Sequence, residues 1–290
     1  MKFWIWMSRL NVKPIIKYNL IKKYKEPKIV YKLTKEELLE EGIELQDVNE
    51  ILENKYKNNL ENYIQYMKKH KIEIITINDN NYPKMLKNIY DPPIVLYIKG
   101  NKEIFSTYAI GMIGCRNCSI YGKNTAQKLA YDLAKNNFVV VSGLAKGIDT
   151  YSHVGCLAGK GKTIAVLGNG LDTVYPSENK ETADKIVETG GAVISEYIIG
   201  TKPLKQNFPQ RNRIISGLSN SIIVVEAKER SGTMITVNCA LEQGREIYAV
   251  PGNITSINSA GTNELIKQGA KILTTVKDIS WSNNYKNNLI

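Results

Sequence analysis

From Glu196 to Glu226 the chain has no intervening carboxylate, yet Lys202, Lys205, Arg211 and Arg213 all fall in that interval, and Phe208 stands among them ahead of Pro209. Cations without counter-charges suit a polyanion. Lysine and arginine can hold phosphates while an aromatic ring in an otherwise polar stretch stacks on a base, the pattern expected of a single-stranded nucleic-acid site. A competing reading packs Phe208 under the loop and pairs Arg213 with Glu196 or Glu226. Of 39 cationic residues only Arg9, Arg116, Arg211, Arg213, Arg230 and Arg245 are arginine, and all but Arg9 are expected near one rim of a sheet. In a lysine-rich chain an arginine marks a place that wants a planar, two-pronged donor, for phosphate or for a structural carboxylate.

Two glycine-bearing loops could supply anion nests. Ser142-Gly143-Leu144-Ala145-Lys146-Gly147 leads into a helix beginning near Asp149, so backbone N–H groups around Ser142, Gly143 and Gly147 can face an anion, with Asp149 serving equally well as the helix N-cap. Ser231-Gly232-Thr233 repeats the arrangement and adds hydroxyls from Ser231, Thr233 and Thr236. With Arg116 and the cationic loop from 202 to 213 beside them, the nests favour phosphate over a neutral ligand. Dinucleotide binding is not supported: Gly168-Asn169-Gly170 continues as Leu171-Asp172-Thr173 and not as GxGxxG, and neither a GxxxxGK[ST] loop nor a GxSxG elbow occurs. No cofactor is expected. His153, four residues after Asp149, could act as a base, but no nucleophile accompanies it and a satisfied structural histidine accounts for it better. Cys115 and Cys118 form a CxxC with no second pair at metal-site spacing, so no metal is expected, and four cysteines in 290 residues suit a reducing, cytoplasmic setting. No apolar run approaches the roughly 20 residues of a membrane helix, and no membrane association is expected.

These loops need elements to carry them. Residues 1–68 read as short helices, with Thr34 and Glu37 spaced as a capping box. From residue 69 to 280 the pattern changes. Apolar, β-branched runs occur at 72–77, 94–98, 108–114, 138–142, 163–168, 192–195, 221–226, 246–250 and 271–275, most of the later ones separated by helical stretches. Strands apolar on both faces alternating with helices imply an α/β fold, an extended Rossmann-like three-layer domain with a mostly parallel sheet. In such sheets ligands sit at the carboxyl ends of the strands, and segments 114–122, 142–149, 168–176, 195–197, 226–233 and 251–253 would all line that rim. The net charge of +11 agrees with a polyanionic partner without proving one. Residues 281–290 read as a polar tail.

The strings GCRNCSIYG, SGLAKGIDTYSH, TIAVLGNGLDTVYPSEN, SEY, FPQRNRIISGLS, VVEAKERSGTMITVNCALEQGREIYAVPG and GTNELIKQGA together resemble, in order, the blocks of the bacterial DNA-processing protein A family (DprA, also called Smf). The resemblance covers about 82–275 and implies a non-enzymatic, homodimeric protein that binds single-stranded DNA, protects incoming strands in natural transformation and loads the recombinase RecA. It implies a DNA pocket formed by Arg116, Lys205, Phe208, Arg211, Arg213, Ser231, Gly232, Thr233 and Thr236. The helical segment resembles the family's SAM-like domain only loosely, and the winged-helix domain of many members is not expected in the polar tail. The alternative is a nucleotide-processing Rossmann-like enzyme of the phosphoribohydrolase type; its PGGxGT motif is missing, the nearest string being Pro251-Gly252-Asn253.

Overall fold

The computed structural model describes residues 1–55 and 60–279, so the expected polar tail at 281–290 lies outside the described residues. Six helices come first: α1 (Lys2–Arg9), α2 (Pro14–Tyr24), α3 (Pro27–Lys32), α4 (Lys35–Glu40), α5 (Leu45–Asn54) and α6 (Leu60–Lys69). Prolines open α2 and α3, where a missing N–H costs nothing. The capping box at α4 forms as its spacing predicts: Glu37 N donates to Thr34 Oγ1 at 3.2 Å and Thr34 N donates to Glu37 Oε2 at 2.7 Å.

Each β-branched run supplies a strand. The order along the chain is β1 (Ile72–Thr76), α7 (Lys84–Lys87), β2 (Val95–Gly100), β3 (Ala109–Ile113), α8 (Ile120–Lys135), β4 (Val139–Ser142), α9 (Ile148–Ala158), β5 (Thr163–Leu167), α10 (Lys180–Glu188), β6 (Ala192–Ser195), α11 (Asn207–Leu218), β7 (Ser221–Val224), α12 (Gly232–Glu242), β8 (Glu246–Ala249), α13 (Ala260–Lys267) and β9 (Lys271–Ile272). The nine strands form one sheet in the order β1-β2-β6-β5-β4-β3-β7-β8-β9. From β6 to β9 every pairing is parallel, and only the β1–β2 and β2–β6 pairings are antiparallel.

Alternation along each strand separates two cores. In β3, Ile110 and Met112 pack with Leu129, Leu133 and Ile148 from α8 and α9, whereas Ile113 joins Ile214, Ile215 and Val237 from α11 and α12. The N-terminal helices share the second of these cores. Trp6, Leu38 and Ile51 belong to the same cluster as Leu96, Ile98 and Ile214, and Ser8 Oγ meets the Tyr97 hydroxyl at 2.6 Å. Apolar packing is therefore continuous across the compositional break near residue 68. No described helix is long and apolar enough to cross a membrane.

His153 is fully buried between α9 and β5. Thr163 Oγ1 donates to Val140 O at 2.6 Å, so its lone pair takes the Nδ1 hydrogen of His153 at 2.7 Å, while Nε2 has no partner. Burial, aided by Arg211, holds the imidazole down to about 3, far below its ordinary range. The unfolded chain then takes up a proton near pH 6.5 that the folded chain refuses, so stability falls as pH drops from about 6.5 toward 3, by up to ~1.4 kcal/mol per unit. Chemical-denaturation curves of His153→Asn across this window should have a slope against pH shallower by about one proton than those of the parent; equal slopes would contradict the assignment.

Candidate functional site

Strands β3 and β7 are neighbours inside the sheet, and the chain leaves them in opposite directions, toward β4 and toward β8. A crevice must open at their carboxyl ends, where doubly wound sheets ordinarily hold phosphate against a helix N-terminus. Here that position is filled from within. Glu226, 1% exposed, accepts Ser119 N at 2.9 Å and Ser119 Oγ at 2.5 Å at the start of α8. A Cβ on Gly122 would lie 2.2 Å from Glu226 Oε2, so the first turn of α8 admits the carboxylate only because that residue is glycine. Cys115 N donates to Glu226 O at 2.9 Å and its thiol lies 3.6 Å from Glu226 Oε2. Burial and this carboxylate push the Cys115 thiol up to about 12, leaving it protonated at neutral pH.

The nest expected at Ser142, Gly143 and Gly147 is likewise spent internally. Asp149 Oδ2 accepts Gly143 N at 3.1 Å and Ala145 N at 3.4 Å, and Ser142 Oγ donates to Met112 O at 2.7 Å. Asp149 is therefore not the N-cap; it lies inside the first turn of α9 and reaches back to the loop. Gly147 holds a φ of +80°, and a Cβ there would meet Arg116 O at 2.3 Å, so its role is to let the two loops touch.

The segment expected as a cationic loop from 202 to 213 becomes helix from Asn207. A helix turns about 100° per residue, which puts Phe208, Arg211 and Ile215 along one stripe and Arg213 about 140° away from Phe208. The two arginines consequently have separate fates. Arg213 is buried, its Nη1 and Nη2 donating to Glu196 Oε2 and Oε1 at 2.9 and 2.8 Å and its Nε to Asp91 Oδ2 at 2.9 Å, so the structure takes it out of the expected pocket and into a structural ion pair. Arg211 is also buried, but faces the rim. Its Nη1 donates to Gly143 O at 2.6 Å and to Val166 O, its Nε to Asn212 Oδ1 at 3.3 Å, and its Nη2 donates to no described protein atom. Burial lowers its guanidinium to about 10, with Asp149 opposing, so it keeps its charge at neutral pH. Arg245 also departs from expectation: it precedes β8, at the opposite end of the strands, and donates to Met85 O, Ser216 O and Gly217 O.

What remains open is a cleft of about 460 Å³ between the α11 stripe, the loop after β3 and the start of α12. Arg116, Lys205 and Lys228 line it, all exposed and none held by an ion pair among the described residues. Phe208 forms its apolar wall, with the Cζ of Arg116 and Arg211 5.6 and 5.9 Å from the ring centroid. Ser231, Gly232, Thr233 and Thr236 line the far side, and Ser231 Oγ turns away to Lys228 O at 3.0 Å, leaving the first N–H groups of α12 without a side-chain cap. Apart from Arg213 and the three nest residues, the expected pocket is brought together. Two residues were missed: Lys228 and Tyr175. Both lie in segments singled out as rim loops, 226–233 and 168–176, but nothing in their spacing distinguishes them from ordinary loop residues.

The family model described as DNA recombination-mediator protein A matches residues 73–283. The chain is 46% identical over 209 residues to the DNA processing protein DprA of Bacillus subtilis, covering 72% of this chain and 70% of that one. It is 39% identical over 223 residues to the protein Smf of Escherichia coli, covering 77% and 60%. Among solved structures, DNA processing protein A of Streptococcus pneumoniae superposes with a TM-score of 0.83 at 35% identity and 96% coverage of both chains, so that likeness extends through the N-terminal helices. DNA processing protein A of Helicobacter pylori, in a structure concerned with its single-stranded DNA binding mode, superposes with a TM-score of 0.65 at 30% identity, covering 76% of this chain and 95% of that one. The family match, the identity to relatives and the shared fold agree, and the chain belongs to the DNA recombination-mediator protein A family.

Proposed function

We propose that the cleft binds the backbone of single-stranded DNA and that the protein acts by binding and not by catalysis. The observation that carries this reading is the unpaired trio Arg116, Lys205 and Lys228 around the Phe208 wall, in a cleft whose one lining carboxylate, Asp149, is already engaged by backbone N–H groups. Arg211 offers Nη2 from a fixed position, and the uncapped start of α12 offers further N–H donors. The sole histidine on a rim-facing helix is sealed in the core, which removes the obvious general base. As a homodimeric recombination mediator the protein would protect incoming single strands during natural transformation and pass them to the recombinase RecA. Support for that larger role comes from the family and from the relatives' names.

If about three phosphates are neutralised per protomer, log K for oligo(dT) should fall with log salt at a slope of about −2. Arg116→Ala is expected to weaken binding about tenfold (~1.4 kcal/mol) and to flatten the slope; unchanged affinity in a gel-shift titration would remove the cleft as the binding site. Arg213→Met tests the opposite role. Breaking a buried pair costs ~3–5 kcal/mol, so this variant should melt well below the parent while its folded fraction binds DNA normally. A strand-exchange assay on coated DNA checks the RecA step, and no stimulation there would confine the protein to strand binding.

A further inference from the structure

Phe208 is a poor stacking platform in its present position. Arg116, Arg211 and Tyr175 approach its ring at 5.6, 5.9 and 5.7 Å, and Gly168 backs it so closely that a Cβ there would lie 3.1 Å from the ring. A base stacks by covering an open π-face, and these neighbours leave Phe208 half-buried. Tyr175 differs. It leans on Phe208 at an interplanar angle of 41°, keeps 47% of its surface exposed, and lines both the main cleft and a smaller notch of about 50 Å³ that adjoins it beside Arg116, Lys146 and Arg211. Its hydroxyl engages no described protein group. An open aromatic face next to cations positioned for phosphate is the pairing that single-strand grooves use.

Resting on the strand-binding reading above, we propose that Tyr175 is the residue on which a base of the bound strand stacks, and that Phe208 is a positioning residue that fixes the tilt of Tyr175 and the two guanidinium groups. Tyr175 then contributes contact that any base can supply, and the notch beside it sets where along the strand that base falls.

The test uses an oligo(dT) carrying one 2-aminopurine, whose fluorescence is quenched on stacking. The intact protein is expected to quench it, Tyr175→Ala to lose the quench and about tenfold in affinity, and Tyr175→Trp to restore both, the new indole fading as DNA is added. Phe208→Leu, which keeps an apolar wall, is expected to weaken binding while retaining part of the quench. Quench and affinity unchanged in Tyr175→Ala, or quench lost in Phe208→Leu and kept in Tyr175→Ala, would overturn the assignment and leave strand binding intact. Absence of any oligo(dT) binding by the intact protein would overturn the strand-binding reading and this one together.

Discussion

The carboxylate of Glu226 sits where a doubly wound sheet ordinarily holds a ligand's phosphate, and much of the rest of the rim follows from that occupancy. By accepting both the N–H and the hydroxyl of Ser119, it satisfies the donors at the start of α8 that a nucleotide would otherwise meet. Asp149 does the same for the loop after β4. With both inner positions filled by the chain's own anions, anion-binding capacity is displaced outward to the loop after β3, the start of α12 and the exposed lysines. An inner nest would suit a compact pyrophosphate. An outer, open cleft suits a backbone that continues beyond it in both directions.

Buried charge on the two faces of α11 serves two ends. Arg211, threaded between Gly143 O and Val166 O, is held rigidly enough for its remaining nitrogen to be presented without reorganisation. Arg213 clamps Glu196 after β6 and Asp91 before β2 onto the same helix. Removing the guanidinium from that clamp would leave two largely buried carboxylates without their counter-charge, so the helix bearing the cleft wall is tied to the sheet by an interaction that is costly to break. The N-terminal helices reinforce it by packing into the same apolar layer.

Much of this architecture was legible in the sequence because periodicity and capping are local. The β-branched runs became strands, Thr34 and Glu37 formed their box, and His153 proved structural. The errors have a common cause. Residues 207–213 carry a proline at the third helical position and few long apolar side chains, so they read as loop; once helical, the two-residue spacing of Arg211 and Arg213 sends them to different faces. The glycine loop 142–147 is filled by Asp149, only a few residues on, whose spacing suits an N-cap equally well, whereas the start of α8 is met by Glu226, 107 positions from Ser119. Spacing leaves the first choice open and does not encode the second at all. Tyr175 was passed over for a similar reason, since its value as a platform comes from how closely others crowd Phe208.

The same long separation bears on how the molecule comes to exist. Strands β4, β5 and β6 can add to β3 one after another as the chain emerges, each through a short crossover, but β7 must return past them to pair on β3's other side. Closing so large a loop is entropically late and kinetically slow. Until it happens, Ser119 at the cap of α8 has no carboxylate to receive its N–H and hydroxyl, and the far wall of the cleft, carried on α12, does not exist. The cleft is therefore completed only once β7 has paired on β3, so a half-made chain carries the loops after β3 and β4 without the wall that faces them.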